Sequence, residues 1–260
     1  MSIVDAFDRM QWGTEDLHFD GLHFLLEQCR TTNAATDSPT FTLHKKRDIV
    51  DEYRKFFALR PDFHPEHMLE VGIFKGGSLA FWREILKPKR IAALDILPDP
   101  RDSNLAAYTK SVEKETIITA HWSSDQTDTS LLRRIAKEDL NGRIDFVIDD
   151  ATHEYHATKV TFQTIFPFMP PGSIYIIEDW AWNHWKRYQV RNSERMKDRS
   201  PSELAFELAE STGSASGVID HIEIYNVFIA IVRGRKPVTG DFDLEESIIR
   251  RPFYPYKWAR

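Results

Sequence analysis

Four groups of residues in this chain have the types and spacing to do chemistry. The first is the loop Glu70-Val71-Gly72-Ile73-Phe74-Lys75-Gly76-Gly77-Ser78, which follows a short apolar run and opens a helical pattern. Glycines let a backbone turn sharply and approach a ligand, and the helix N-terminus behind them offers N–H groups with no partner of their own. The spacing departs from the Gly-x-Gly-x-x-Gly dinucleotide fingerprint and lacks the Gly-Lys-Ser/Thr ending of a P-loop. Neither a nicotinamide nor a nucleoside triphosphate is indicated, and alone the loop is equally well explained as a packing turn. The second is Asp95, at the end of the next apolar run and 25 residues after Glu70, where a carboxylate can accept both hydroxyls of a ribose. The third is Asp149-Asp150-Ala151-Thr152-His153, and the fourth is Glu178-Asp179; each pair of acids closes an apolar run.

Adjacent carboxylates repel, so a cation or a strong hydrogen-bond donor is expected beside them. If both runs are neighbouring parallel strands, Asp149, Asp150, Glu178 and Asp179 crowd one edge of a sheet. Oxygen-rich groups of this kind suit Mg²⁺ or a similar hard divalent ion. The plainer explanation is that some of these acids cap helices or bind a ligand's amine. His153, three residues after Asp150, can ligate a metal or take a proton near neutral pH. His156 lies one helical turn further and competes for that role. His18, His23 and His44 are further candidates of lower weight, and Lys45, Lys46 and Arg47 read as a solvated helix face.

The elements that must position these residues alternate. Met68–Val71, Arg90–Ile96, Thr116–Ala120, Ile144–Ile148 and Ile174–Ile177 read as strands. Gly76–Leu86, Leu131–Lys137 and Glu154–Phe168 read as helices between them. This order predicts an α/β, Rossmann-like, doubly wound sheet, mostly parallel. Ile219–Tyr225 and Val227–Val232 flank Asn226 and predict an antiparallel C-terminal hairpin at one edge. Residues 1–60 are expected to form an N-terminal helical cap that shapes a substrate pocket, with helices over Leu17–Cys29 and Leu43–Leu59 and a loop over Thr31–Thr40. Residues 61–260 would be the main domain, with a lid insertion at about 180–217 and a helix over Ser202–Glu210 capped by Ser202. Trp180, Trp182, His184, Trp185 and Tyr188 follow the acids directly, and aromatic faces of this kind stack on sugar rings or flat polyketide surfaces, or form a seam beneath a lid.

Composition narrows the classes. The 260 residues carry a net charge of −6, which disfavours a nucleic-acid binder, and no basic aromatic surface is evident. A single cysteine, Cys29, excludes an intramolecular disulfide and a cysteine-type zinc site. The chain suits a reducing cytoplasm. Its first residues do not read as a signal peptide, and no run approaches the length of a membrane helix.

At these residues the sequence resembles class I S-adenosylmethionine (SAM)-dependent methyltransferases. More narrowly, it resembles the sugar O-methyltransferases of antibiotic biosynthesis: the macrolide deoxysugar and rhamnosyl enzymes and their cephalosporin-pathway relatives. Leu69–Ser78, Asp149-Asp150-x-x-His153 and Ile177-Glu178-Asp179 carry the likeness, with Trp82 fitting in the helix after the loop. It covers somewhat under half of the chain.

The resemblance implies SAM and Mg²⁺ as cofactors. It implies that Glu70, Gly72, Phe74, Gly76 and Ser78 line the SAM site, with Glu70 and Gly72 at the methionine portion. It further implies Asp95 at the ribose, Asp125 and Gln126 at the adenine, and Asp149 near the SAM amino group. Ser124 stands where the family usually has Gly. Asp150, Glu178 and Asp179 match the metal ligands, and His153 matches the general base. The expected partner is a small-molecule acceptor, with no nucleic acid and no membrane, in a homo-oligomer. The competing expectations are a noncatalytic SAM-fold binding protein and a relative of the hydroxylase-labelled cephalosporin group.

Overall fold

In the computed structural model, which describes residues 2–26, 40–99, 104–189, 199–214 and 217–249, the chain forms two sheets. It begins with α1 (Ile3–Asp8), β1 (Gln11–Trp12), β2 (Asp16–Phe19), β3 (Leu22–Leu26), β4 (Thr40–Leu43) and α2 (Arg47–Ala58). It then alternates through β5 (His67–Val71), α3 (Gly77–Leu86), β6 (Arg90–Leu94), α4 (Leu105–Val112), β7 (Ile117–His121), α5 (Thr129–Arg134), β8 (Phe146–Asp149), α6 (Tyr155–Ile165) and β9 (Ile174–Glu178). After α7 (Pro201–Gly213) it ends in β10 (Ile219–Ile224) and β11 (Phe228–Arg233).

The main sheet has seven strands in the order β10-β11-β9-β8-β5-β6-β7. Strands β9, β8, β5, β6 and β7 are mutually parallel, and β11 is antiparallel to both β9 and β10. This is the doubly wound, Rossmann-like arrangement expected from the alternation. Its inner strands β8, β9 and β11 are buried along their whole length and read as nearly continuous apolar runs because both faces are covered, whereas the edge strand β10 carries Asp220, His221 and Glu223. Met68, Ile91 and Ile148 belong to a core shared with α2, α3 and the smaller sheet, whereas Leu69, Ala92 and Val147 belong to one shared with α5, α6 and α7. Consecutive strand residues thus feed opposite cores.

The N-terminal segment departs from the expected helical cap. Leu22, Leu25, Leu26 and Cys29 have helical spacing, but the described part of the stretch folds as the β2–β3 hairpin, with Leu17 opposite Phe24 and Phe19 opposite Leu22. Asp20 and Gly21, both at positive φ, make the turn. This Asp-Gly pair between alternating apolar residues is a hairpin signal that overrides the helical spacing. Strand β4 adds in parallel to β3, giving a four-stranded sheet. Cys29 and most of the expected loop 31–40 lie outside the described residues. The helix expected from Leu43 begins at Arg47, so the residues before it form a strand and a short link. The helix α7 is capped by Ser200 rather than Ser202: Ser200 and Glu203 form a reciprocal capping box, with Pro201 at the first turn. Helix α4 was not anticipated from the sequence.

The small sheet docks on α3 at one tight point. A Cβ on Gly77 would lie 1.8 Å from the carbonyl oxygen of Thr42, so only glycine lets β4 pass there. That contact brings the link after β4 to the carboxyl edge of the main sheet. Below it, Tyr53 of α2 packs edge-on to Trp82 at 4.6 Å and stacks on Phe228 at 4.4 Å, tying α2 to α3 and β11. Among the described residues no helix is long and apolar enough to cross a membrane.

Candidate active site

The carboxyl ends of β5, β6, β8 and β9 gather the singled-out residues on one edge. Gly72 has φ +99, and a Cβ there would sit 2.2 Å from the carbonyl oxygen of Asp150, so the loop after β5 and the end of β8 touch backbone to backbone. Asp95 stands just beyond β6 and clamps the same loop: its Oδ2 accepts from the backbone N–H of Ile73 at 2.8 Å and of Phe74 at 2.6 Å, and its Oδ1 accepts from Leu97 at 2.8 Å. Oδ1 keeps acceptor capacity for a further donor. Asp95 is therefore a loop clamp as well as the ribose candidate.

Glu70 is fully buried, and neither of its carboxyl oxygens has a hydrogen-bond partner; the neighbouring Ser78 hydroxyl is likewise unpartnered. Burial pushes the Glu70 carboxyl up to about 8, against the pull of Ser78 and the positive charge of Lys45. A buried carboxyl without a donor is costly, and here it lies where the glycine loop lets a ligand approach. The orphaned oxygens fit a ligand that brings its own amine or hydroxyl donors.

Asp149, the last residue of β8, is buried and accepts from the Tyr175 hydroxyl at 2.7 Å. Burial raises its carboxyl to about 7, opposed by that hydrogen bond and by His153. Gln126 is also buried: its amide donates to the Thr161 hydroxyl at 3.1 Å and accepts from the Thr152 N–H at 3.2 Å, fixing the turn after β7 against the segment after β8. Asp125 is exposed and closes its own turn through Thr127. Phe74 is exposed and packs against His44 with ring centroids 4.5 Å apart.

The acids at β8 and β9 do meet, and a lysine stands between two of them. Lys45, in the link between β4 and α2, is 2% exposed at its side chain. Its Nζ donates to Asp150 Oδ2 at 2.8 Å and to Glu178 Oε1 and Oε2 at 2.7 and 2.6 Å. This corrects the reading of Lys45 as part of a solvated face; Lys46 and Arg47 are exposed as expected. Burial alone would lower the Lys45 pKa, but the charges of Asp150 and Glu178 hold it well above the ordinary lysine range. Asp150 is held below the usual carboxylate range, since Lys45 and His153 outweigh the effect of burial. The Tyr53 hydroxyl donates to Glu178 Oε1 at 2.5 Å, and burial beside Glu178 keeps that phenol protonated far above its usual range. Neither Lys45 nor Tyr53 was singled out from the sequence. A lysine among His44, Lys46 and Arg47 carries no local sign of burial, and Tyr53 fits an ordinary apolar helix face.

His153 completes the edge. Its Nε2 lies 3.7 Å from Asp150 Oδ1 and 4.0 Å from Asp179 Oδ2. His153 and Asp179 both sit at positive φ, +53 and +51, as does Phe74 at +49. Residues with a Cβ seldom adopt this conformation, and such positions cluster at functional sites. The indole of Trp182 donates to the His153 carbonyl at 2.8 Å, so the aromatic segment after β9 braces the histidine. Trp182 and Tyr188 pack edge to face at 5.2 Å. His156 points from α6 as an exposed residue, so the geometry favours His153 of the two.

Asp150, Glu178 and Asp179 are hard oxygen donors at adjacent strand ends, of the kind a divalent ion takes, but they are not among the groups whose donor atoms all lie within 4.8 Å of one another. A separate group, Asp16, His18 and His23 on the β2–β3 hairpin, has donor atoms within 4.8 Å of one another. Its histidine rings stack at 4.3 Å, and both face Asp16 Oδ2.

Residues 69–180 match a family described as a methyltransferase domain. The chain is 34% identical over 134 residues to 8-demethyl-8-(2-methoxy-alpha-L-rhamnosyl)-tetracenomycin-C 3'-O-methyltransferase of Streptomyces olivaceus, covering 49% of this chain and 30% of that protein. It is 30% identical over 125 residues to mycinamicin VI 2''-O-methyltransferase of Micromonospora griseorubida, covering 45% of this chain and 28% of that one. Among solved structures, the MycE methyltransferase in complex with Mg, SAH and mycinamycin VI superposes with a TM-score of 0.53 at 25% identity, covering 71% of this chain and 49% of that one. The chain thus spans less than half the length of these relatives.

Proposed function

We propose that this chain, which resembles the macrolide and sugar O-methyltransferases, is a SAM-dependent methyltransferase that transfers the methyl group to a hydroxyl of a small, sugar-bearing secondary metabolite, as in antibiotic biosynthesis. The observation that carries this reading is the placement of His153 between Asp150 and Asp179, on the same edge as the orphaned carboxyl of Glu70.

In the reaction the acceptor oxygen attacks the methyl carbon in line with the departing sulfur. The C–O bond forms as the C–S bond breaks, and the electron pair returns to sulfur, giving S-adenosylhomocysteine. The hydroxyl proton goes to His153 Nε2, and the neighbouring acids favour the resulting imidazolium. Glu70 and Gly72 would line the methionine portion, with Phe74, Gly76 and Ser78 completing the loop. Asp149 would face the amino group, Asp95 would hold the ribose, and Asp125 and Gln126 would flank the adenine. Asp150, Glu178 and Asp179 would hold Mg²⁺, which when bound lowers the pKa of a coordinated hydroxyl and orients it. The name of the tetracenomycin relative supports a rhamnosyl acceptor, and Trp182, Trp185 and Tyr188 offer faces for such a ring.

The test uses methyl-labelled SAM with a panel of rhamnosylated and deoxysugar-bearing polyketides. Wild type transfers label to at least one acceptor. His153→Ala binds S-adenosylhomocysteine as tightly as wild type and loses most transfer. A variant as active as wild type rejects His153 as the base, and a wild type that binds no SAM rejects the reading as a whole.

A further inference from the structure

The acids assigned to a divalent ion already hold a cation that belongs to the chain. Three of the four oxygens of Asp150 and Glu178 accept from one ammonium, at 2.6 to 2.8 Å, and the remaining Asp150 oxygen faces His153. We infer that Lys45 is a tethered counter-cation occupying the divalent ion's share of these carboxylates, so that metal enters only as Lys45 withdraws. This rests on the reading of Asp150, Glu178 and Asp179 as metal ligands.

Two physical points support the competition. The lysine spends the acceptor capacity a metal would need: both Glu178 oxygens are engaged, and Oε1 also takes the Tyr53 hydroxyl. A hard ion needs its carboxylate oxygens at roughly 2.0 to 2.6 Å with little else upon them. The charges also repel, because an ammonium and a divalent ion sharing two partly buried carboxylates are screened far less than in water. Without either cation, the acids would be left unpaired at the end of the sheet, which is costly.

The position of Lys45 gives withdrawal a route. It lies on a three-residue link between β4 and α2, neither inside a strand nor on a helix. Lys46, the residue that caps α2, makes no side-chain cap to its first turn. On the same link, His44 packs on Phe74 of the glycine loop. A shift that lifts Lys45 from the acids therefore also disturbs a contact of the cofactor loop, linking metal occupancy to SAM binding.

The experiment measures Mn²⁺ binding to the full chain by electron paramagnetic resonance and calorimetry, for wild type, Lys45→Met and Lys45→Arg. Lys45→Met is expected to bind Mn²⁺ at least about tenfold more tightly than wild type, and Lys45→Arg to stay as weak as wild type. In parallel, wild type is treated with acetic anhydride and Lys45 acetylation is read by peptide mass spectrometry. Lys45 should be protected without metal and labelled when Mn²⁺ is added. This second arm needs no variant and stands even if Lys45→Met folds poorly. Equal or weaker Mn²⁺ binding by folded Lys45→Met, or labelling of Lys45 that ignores Mn²⁺, overturns the inference while leaving the metal reading in place. If no form binds Mn²⁺ although S-adenosylhomocysteine still binds, the metal reading itself fails and takes the inference with it.

Discussion

Replacing Gly72 by alanine loads two separable costs onto the point where the cofactor loop meets the end of β8. The first is conformational: φ is +99, a region that costs a residue with a Cβ on the order of 1–3 kcal/mol. The second is steric. The new Cβ would lie 2.2 Å from the Asp150 oxygen and 2.8 Å from its carbonyl carbon, so one side must retreat by roughly 1 Å, an overpacking cost of about 1–3 kcal/mol. Gly172→Ala supplies the control, because Gly172 has φ +85 with nothing within 4 Å of the added Cβ. It therefore bears the first cost alone, in the turn before β9. Urea unfolding should show Gly72→Ala less stable than Gly172→Ala by about the steric share. Calorimetric titration with S-adenosylhomocysteine should show at least about tenfold weaker binding to Gly72→Ala and wild-type binding to Gly172→Ala. Equal stability of the two variants, together with unchanged ligand affinity in Gly72→Ala, would refute the claim that the Gly72–Asp150 contact sets the geometry of the site.

Two further outcomes follow from buried polar groups. The Glu70 carboxyl is raised from 4.5 to about 8, so in that window the native chain retains a proton that the unfolded chain has released. Its stabilising effect is complete below about pH 4.5 and is lost as pH rises through about 8. Glu70→Gln removes the titration, so the melting temperature of the variant relative to wild type should rise between pH 5 and pH 9; a constant difference would refute it. Tyr53→Phe keeps the ring packing and deletes the hydroxyl that donates to Glu178 at 2.5 Å. Burial raises the Glu178 carboxyl to about 8, so the loss is that of a buried acceptor left short of a donor, about 1–3 kcal/mol less stability by urea titration, and a change below about 0.5 kcal/mol would show the hydroxyl to be idle.

The parts of this fold that read clearly are those in which local pattern and tertiary environment agree. Phe146–Ile148 and Ile174–Ile177 are apolar throughout because both faces of their strands are covered, and the acids that follow them fall at strand ends where chain geometry brings neighbours together. Leu17–Cys29 misled because Leu22, Leu25, Leu26 and Cys29 match a helical period, while the alternation of Leu17, Phe19, Leu22 and Phe24 around Asp20-Gly21 is the stronger signal. The Ser200–Glu203 capping box was likewise present in the chain and passed over in favour of Ser202. Lys45 is different in kind. Its partners lie 105 and 133 residues away, and no spacing rule reaches that far. What the sequence did contain was a demand: adjacent acids at two strand ends require a compensating cation. From the sequence that demand is met by a metal, a hydrogen-bond donor or a ligand's amine, whereas in the structure a lysine of the chain meets part of it.

The strand order has a consequence for how the site comes into being during synthesis. Strand β9 carries Glu178 and has β8 on one side, but its other neighbour is β11, which emerges from the ribosome only after α7 and β10 have been made. Phe228 of β11 lies opposite Glu178 and stacks on Tyr53. The ring that steadies the Tyr53 hydroxyl against Glu178 is therefore among the last parts of the sheet to be translated, while Lys45 and Tyr53 precede every strand of that sheet. Until β11 inserts between β9 and β10, the nascent chain carries its acids, its lysine and its tyrosine without the strand that locks them together, and β9 presents an open edge.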